Sequence, residues 1–370
     1  MDRRELLKTG AAVAAASLVA KPALAQAPAA KKVQLSAYSR TLHWLRKPEE
    51  VAAAIREIGN TAVDLTVRPG SGHVDPEKVK TDLPAFVKGL RAGGIEVSMI
   101  APTITDATDA NAEAVLDAAS NLGIHHYWWG TYRYDETKPV WPQLDALKPK
   151  VAALAKLNEK YGMKAMAHPR NGSGSVSGSF FDLLYILREF DPRWVSYQYD
   201  TGQLLQVRAD VWVSQIRLGA PYIGGFVWKD SVLEAANTPN PDDAYRAANP
   251  PAQQGPSDGA GVGAAGRGAA GGGAAAGGRG GRGAAGANAD APRWRTRQVP
   301  IGEGLVDVKL VCQALKQINF DGPMECEPEW PQLGGADQGA TSLTISRAQC
   351  IALLKRDRVT VQAAMDAIGL

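Results

Sequence analysis

Cysteine is scarce in this 370-residue chain, which carries only Cys312, Cys326 and Cys350. They show no CxxC spacing and cannot all pair, so a zinc ribbon and a disulfide scaffold are excluded. Charge of one sign is missing too. The 41 basic residues against 38 acidic ones leave +3, too near neutral for a nucleic-acid polymer as the main partner. Long hydrophobic runs are absent: the stretch from Thr9 to Ala20 falls short of the ~20 apolar residues needed to cross a ~30 Å hydrocarbon core. No stable membrane insertion is therefore expected. There is no Walker-type phosphate loop, and no GxGxxG follows the first strand pattern, which weighs against a doubly wound nucleotide-binding sheet. Phe is rare at 6, whereas Trp at 9 and Tyr at 10 are not, a mix suited to polar, partly apolar ligands such as sugars. At 45% hydrophobic and 21% charged the remainder is ordinary globular composition.

Two segments stand apart. The N-terminus has Arg3-Arg4 ahead of a short apolar run and then Ala23-Leu24-Ala25, with Ala25-Gln26-Ala27 as an alternative small-x-small cleavage site. Residues 1–27 are thus expected to be a twin-arginine-type export signal, which puts the mature protein in the periplasm or otherwise outside the cytoplasm. The other alternative is an amphipathic N-terminal helix. Residues 251–290 hold 15 Gly and 13 Ala, dotted with Arg267, Arg279 and Arg282, and no apolar side chain there is larger than Val262. Such a tract cannot bury enough surface to offset its ordering entropy, so a disordered loop insertion is expected. An Arg-dotted tract that binds polyanions is the weaker alternative.

The rest of 31–370 alternates short apolar runs with helical spacing. Strand patterns fall at Val33–Ser39, Ala62–Val67, Glu96–Ala101, His125–Tyr132, Lys164–His168, Val195–Asp200, Ile223–Trp228 and Met324–Glu327. A helical pattern follows each, and the insertion comes after the seventh. Most of these strands lack polar alternation, as strands covered on both faces do. Eight such units predict an α/β fold, a single (β/α)8 TIM barrel, with the open doubly wound sheet as runner-up. Barrel chemistry sits where the strands end at their C-termini. That rim holds His43 and Trp44 after the first strand, Asp64, Arg68 and His73 at the second, Thr103 and Thr105 at the third, and Tyr132 and Arg133 at the fourth. It continues with His168, Arg170 and Asn171 at the fifth, Asp200 and Gln203 at the sixth, Lys229 and Asp230 at the seventh, and Glu327 and Glu329 at the eighth. His43-Trp44 could stack on a sugar, and Arg68 and His73 lie in a Gly/Pro loop suited to sugar hydroxyls. Structural alternatives stand beside these readings: Asp200 as a helix cap, Lys229 paired with Asp230, Trp44 as a barrel plug.

The segment Gly59-Asn60-Thr61-Ala62-Val63-Asp64-Leu65-Thr66-Val67-Arg68-Pro69-Gly70 resembles the second strand of the sugar phosphate isomerase/epimerase family, the xylose isomerase-like barrel group. The resemblance runs on through His73-Val74, Asp82-Leu83-Pro84, Tyr199-Asp200, Trp228-Lys229-Asp230 and Pro300-Ile301-Gly302-Glu303-Gly304-Leu305-Val306-Asp307. It closes at Phe320-Asp321-Gly322-Pro323 leading to Glu327. It implies a divalent metal, commonly Mn2+ or Mg2+ and in some members Zn2+ or Co2+. Glu327 matches the strand-eight glutamate that serves sugar epimerases as ligand and acid/base, and Asp200 matches the strand-six aspartate ligand. Two positions depart from the family pattern. The second glutamate of strand five is replaced by Ala167-His168, and the histidine before Lys-Asp at strand seven is Val227. The implied metal set is His168, Asp200 and Glu327, with Glu329 or water completing it. Lys229 is then a second acid/base or an electrostatic clamp, and His43, Trp44, Arg68, His73, Arg170 and Glu329 are candidates for substrate contact.

The chemistry agrees with the resemblance. A sugar offers only hydroxyls and a carbonyl, so shifting a proton between adjacent carbons requires the developing enediolate to be stabilised, which a Lewis-acid metal beside a carboxylate does. The expected activity is a metal-dependent isomerase or epimerase acting on a non-phosphorylated sugar or keto-sugar, since exported enzymes rarely meet phosphosugars. One alternative is a lyase that cleaves an oxidised (keto-) glycoside by elimination at the same site. Another is a non-catalytic periplasmic sugar-binding barrel. A three-metal phosphodiesterase-like site would need more ligands than 5 His supply. The partner is a small carbohydrate, and assembly into a homo-oligomer is left open.

Overall fold

The computed structural model describes residues 33–70, 72–170, 174–204, 211–235, 238–248 and 294–370. The N-terminal segment 1–27, Asn171 and the Gly/Ala tract 251–290 lie outside the described residues. Strands and helices alternate along the chain: β1 (Leu35–Tyr38), α1 (Pro48–Ile58), β2 (Ala62–Thr66), α2 (Val79–Ala92), β3 (Glu96–Ala101), α3 (Ala112–Asn121), β4 (His126–Trp129), α4 (Val140–Tyr161), β5 (Lys164–Ala167), α5 (Phe180–Leu187), β6 (Val195–Asp200), α6 (Thr201–Leu204), α7 (Val211–Gly219) and β7 (Ile223–Trp228). An excursion follows, made of β8 (Asp230–Ala235), α8 (Pro241–Ala248) and β9 (Trp294–Val299). The chain then ends with α9 (Val308–Gln317), β10 (Met324–Cys326) and α10 (Arg347–Ile368).

The eight strands outside the excursion close a barrel in the order β1-β10-β7-β6-β5-β4-β3-β2. Every neighbouring pair is parallel, and β1 seals the ring by pairing Ala37 with Cys326 on one side and Tyr38 with Asp64 on the other. This is the expected (β/α)8 barrel. Its helices begin where local chemistry starts them. Pro48 opens α1 with Glu49 and Glu50 in the first turn, and Asp307 caps α9 by accepting from the Leu310 amide. Ser346 and Gln349 form a reciprocal capping box on α10. Among the described residues no helix is long and apolar enough to cross a membrane.

Side chains alternate across each strand, and the alternation divides the apolar residues into two clusters. Tyr127 and Trp129 of β4, Tyr197 and Tyr199 of β6, and Met324 and Cys326 of β10 join the large cluster beneath the helices. Tyr38, Met99, Ala101, Trp128 and Met166 form a small separate cluster inside the barrel. That interior is also unusually polar. Ser36, Asp64, Gln198 and Glu325 are all fully buried, and Ser36 shares a 2.7 Å hydroxyl contact with Ser98. Buried polar groups of this kind cost several kcal/mol (roughly 2–7) unless they find partners, so the interior must form a hydrogen-bonded layer.

The excursion differs from the sequence expectation, in which the chain passed from the seventh strand straight to the insertion. Instead β8 and β9 pair antiparallel from Asp230–Val299 to Ala235–Trp294, and the segment 251–290 falls between α8 and β9. Asp230 anchors the base of this hairpin. Its Oδ2 accepts from the Gly302 and Gly304 amides at 2.9 Å each, and its Oδ1 accepts from Ser231 at 2.8 Å and Val306 at 3.1 Å. A Cβ on Gly304 would lie 2.3 Å from Asp230 Oδ1, so the close approach requires glycine there. The Pro300–Asp307 motif thus folds around one buried carboxylate, which leaves Asp230 turned away from Lys229.

Candidate metal centre

Four adjacent strands of the ring each deliver one polar side chain at or just past the C-terminal end: His168 from β5, Asp200 from β6, Lys229 from β7 and Glu327 from β10. The sheet ladder fixes their backbones, with the His168 amide donating to Trp129 O at 3.2 Å and the Glu327 amide to Trp228 O at 3.0 Å. All four side chains are at most 3% exposed. Nε2 of His168 lies 3.6 Å from Asp200 Oδ2 and 3.8 Å from Glu327 Oε2. Among the described residues, these three side chains form the group placed to hold a metal ion, their ligand atoms all within 4.8 Å of one another.

Asp200 serves two purposes with its two oxygens. Oδ1 caps α6 by accepting from the amides of Gly202 at 2.8 Å and Gln203 at 3.3 Å, while Oδ2 faces the site. The capping reading and the ligand reading of this residue are compatible.

His168 is oriented by what lies around and beneath it. Its ring stacks on Trp128 with centroids 4.0 Å apart and planes 9° from parallel, and Arg68 lies over the same indole at 4.7 Å. Nδ1 contacts Gln198 Oε1 at 3.0 Å. The Gln198 amide can turn only one way, because its Nε2 donates to Glu325 Oε1 at 3.1 Å. So Nδ1 of His168 carries the proton, and Nε2 presents a lone pair to the carboxylates. Burial, then the nearby Lys229, Arg170 and Arg68, hold the imidazole well below its ordinary pKa and therefore neutral.

Glu325 Oε1 also accepts from Trp128 Nε1 at 3.3 Å. Its Oε2 and both oxygens of Asp64 find no donor in the interior, and two facing carboxyls without donors must share a proton. Burial, reinforced by the neighbouring Asp64 and Glu327, pushes Glu325 well above the usual carboxylate range. Burial likewise lifts Asp64 to about 8 against the pull of Glu325 and Arg68. A continuous chain therefore runs from Asp64 through the protonated Glu325 and Gln198 to His168.

The donor set fits a divalent ion. His168 Nε2 has no hydrogen-bond partner, and Asp200 Oδ2 and Glu327 Oε2, which face it, are met by the Lys229 ammonium at 3.0 and 2.9 Å. One neutral imidazole and two carboxylate oxygens suit Mn2+, Co2+ or Zn2+ as a mixed N/O set. Burial raises Glu327 to about 7 despite Lys229, with Glu329 and Asp200 adding to the rise and Arg40 opposing it. Burial pulls Lys229 down, but Asp200, Glu327 and Glu329 outweigh it and keep the ammonium charged.

The remaining rim residues divide into two groups. Glu329, 15% exposed, lies 3.5 Å from Lys229 and 3.6 Å from Arg40, and Arg170 is close enough to act on His168 electrostatically. Arg68 donates Nε to Ala101 O at 2.9 Å and leans over Trp128. These flank the metal group. His43, Trp44 and His73 belong to a neighbouring network beyond β1 and β2. Thr66 Oγ1 bridges His43 Nε2 at 3.0 Å and His73 Nδ1 at 3.1 Å, His73 Nε2 contacts Leu45 O at 3.2 Å, and Trp44 donates to Thr41 O at 3.0 Å. Burial lowers His43 to about 2, with His73, Arg40, Arg46 and Arg68 adding to the fall, and lowers His73 to about 3 with help from Arg46, so both rings are neutral. Three residues of the site were not among the sequence candidates: Gln198, Glu325 and Arg40, the last 3.9 Å from Glu327 Oε1. For the first two the signal was present, since each stands two residues before a strand-end ligand and so shares its inward face.

The sequence matches the family model described as the xylose isomerase-like TIM barrel over residues 52–346. Similar solved structures include an L-ribulose 3-epimerase, 13% identical with a TM-score of 0.56 over 90% of this chain and 95% of that one. A 3-keto-D-glucoside 4-epimerase from E. coli is 12% identical with a TM-score of 0.51, covering 83% of this chain and 97% of its own. A xylose isomerase-like TIM barrel protein from Mycobacterium smegmatis in complex with magnesium is 13% identical with a TM-score of 0.52, over 90% and 97%. At these identities the likeness is one of fold. No curated protein matches the sequence.

Proposed function

Because the chain belongs to the xylose isomerase-like TIM barrel family, we propose that it is a metal-dependent isomerase or epimerase of a non-phosphorylated sugar or keto-sugar. The observation that carries this reading is the buried convergence of His168, Asp200 and Glu327, in which His168 Nε2 has no hydrogen-bond partner and faces Asp200 Oδ2 and Glu327 Oε2 at 3.6 and 3.8 Å. These three residues would hold a divalent ion, which when bound would supply positive charge that stabilises a developing enediolate.

The chain's own residues supply the rest. Glu327 takes and returns the carbon-bound proton at Oε1, the oxygen turned toward Arg40 while Oε2 faces His168. Lys229, held as an ammonium, supplies positive charge rather than a base. Arg40 steadies Glu327 and Glu329. Glu329, Arg68 and Arg170 stand around the group as candidates to orient hydroxyls. His43, Trp44 and His73 stand farther along the rim, where substrate contact would be indirect through Thr66. Near-complete burial excludes bulk water and strengthens each of these interactions.

A second reading is favoured by one specific feature. Where a two-base epimerase needs a carboxylate on each side of the proton, this site pairs one carboxylate, Glu327, with one ammonium, Lys229. A base beside a proton donor suits elimination of a leaving group from a keto-glycoside equally well. The paired arginines of the N-terminus support export, which cell fractionation would test.

Metal analysis of the purified protein beside Asp200→Ala and Glu327→Ala tests the common core of both readings. One divalent ion per chain, lost in both variants, is the expected result. Incubating keto-sugars and oxidised glycosides in D2O then separates the two, since deuterium incorporation without product release marks an epimerase and aglycone release marks a lyase. No bound metal after supplying Mn2+ or Zn2+ would refute the metal mechanism and leave a binding protein.

A further inference from the structure

We propose that Lys229 is the resident cation of this centre: its ammonium shares Asp200 Oδ2 and Glu327 Oε2 with the divalent ion, so an ion binds only by displacing Lys229 outward toward Glu329. The inference rests on the metal reading above and concerns what limits it.

Three observations converge on Lys229. First, its Nζ lies 3.0 Å from Asp200 Oδ2 and 2.9 Å from Glu327 Oε2, the same two oxygens that face His168 Nε2 at 3.6 and 3.8 Å. An ammonium and a dication cannot both occupy that distance from both oxygens in a buried, low-dielectric space. Second, the lysine is aimed inward by construction. Thr201 Oγ1 ties its backbone at both ends, accepting from Lys229 N at 2.9 Å and donating to Lys229 O at 2.6 Å. Its stem runs across Gly202, where a Cβ would lie 2.6 Å from Lys229 Cβ and 2.9 Å from Cδ. Asp230, the adjacent acid, is spent on four backbone amides. Third, a way out exists. Glu329 Oε2 is 3.5 Å from Nζ, and its side chain is 15% exposed where that of Glu327 is 3%. With the backbone clamped, the distal methylenes alone need to turn for Nζ to exchange the two buried oxygens for Glu329.

The strand-seven position thereby explains itself. Of the four strand ends facing the site, three offer ligand atoms and one offers a cation that neutralises them. The carboxylates remain compensated without metal, and divalent affinity is set by how easily Lys229 moves.

Calorimetric titration of the full chain with Mn2+ tests this, using native protein, Lys229→Met, Lys229→Gln and Arg40→Met. Arg40 is the control for charge alone, because it faces Glu327 at 3.9 Å through Oε1, whereas His168 and Lys229 face Oε2. Both Lys229 variants are expected to bind Mn2+ at least about tenfold more tightly than native protein, and Arg40→Met to change by no more than about threefold. Equal or weaker binding in the Lys229 variants, with native protein binding Mn2+ normally, overturns the displacement. So does an equal gain in Arg40→Met, which would reduce the effect to distant charge. Absence of Mn2+ binding in all four proteins is a different result: it removes the metal reading and this inference with it. Thermal melts identify a variant that has lost its fold, and Lys229→Gln, which keeps a polar end, carries the comparison if Lys229→Met does.

Discussion

At the scale of single residues, the His168–Asp200–Glu327 group rests on a buried polar layer beneath it. Gln198 accepts from His168 and donates to Glu325, so it fixes the histidine tautomer and gives a buried carboxyl one of its two donors. Gln198→Leu removes both contacts at nearly constant volume. Divalent affinity should fall about 10- to 100-fold, as loss of a ligand's outer partner usually causes, and stability should fall by about 1–3 kcal/mol because two buried polar atoms lose their partners. Mn2+ titration alongside urea denaturation reads the two effects separately. A purely structural role for Gln198 would move stability alone. The convergence of His168, Asp200 and Glu327 was legible in the sequence because they end strands, and barrel geometry assigns chemistry to strand ends. Gln198 and Glu325 carried a weaker signal, their place two residues before Asp200 and Glu327, and it was missed because a polar residue inside a strand reads as an interruption until its partner across the barrel is known. Arg40 was illegible for a different reason: it sits in the short helical turn Ser39–Leu42 after β1, and nothing in its neighbours marks that turn as facing β10.

At the scale of elements, the alternation of strand and helix could be read from local pattern, whereas the β8–β9 hairpin could not. Its two strands flank the Gly/Ala tract, and pairing across so long a separation leaves no local signature. What holds it to the barrel is Asp230, not the ion pairs along it. Glu234 meets Arg295 at 2.7 Å and Arg297 at 3.3 Å, but in partly exposed surroundings where such pairs contribute at most about 1 kcal/mol. Asp230→Ala strips the acceptor from four amides and should cost at least about 3 kcal/mol. Glu234→Ala should cost less than about 1 kcal/mol. Chemical denaturation of the two variants checks the ranking, and limited proteolysis should cut Asp230→Ala within residues 300–306 while sparing Glu234→Ala. Comparable losses in the two would mean that the hairpin, not its anchor, holds the loop. The same anchoring accounts for the Pro300–Asp307 motif, whose glycines were visible in the sequence without any indication of which side chain they enclosed.

At the scale of the whole molecule, burial of titratable groups makes stability depend on pH in two opposing directions. The neutral rings of His43 and His73, lowered to about 2 and about 3, gain protons on unfolding below pH ~6.5, so they favour the folded state less as pH falls. Buried carboxyls act oppositely, and Asp357 is one that lies outside the His168–Asp200–Glu327 group. It is fully buried in α10 and accepts from Trp330 Nε1 at 2.8 Å, tying the closing helix to the loop after β10. Burial raises it to about 7, against the pull of Trp330, Arg356 and the Ile301 backbone, while Glu303 adds to the rise. A carboxyl raised in the folded state holds a proton that the unfolded chain has released. Its contribution is therefore complete below pH ~3.8 and is lost as pH rises toward 7, by up to about 1.4 kcal/mol per unit. Asp357→Asn keeps an acceptor for the Trp330 indole and removes the titration. The difference in unfolding free energy, native minus variant, should fall steadily between pH 4 and 7 and level off above, with the histidine contributions cancelling because both proteins share them. A difference that stays flat across that range would mean Asp357 is ionised in the folded protein, with Arg356 and the indole compensating it fully. A difference that rises with pH would mean those partners more than offset burial, which would make the Trp330–Asp357 join a charge-assisted hydrogen bond to a carboxylate instead of a neutral one.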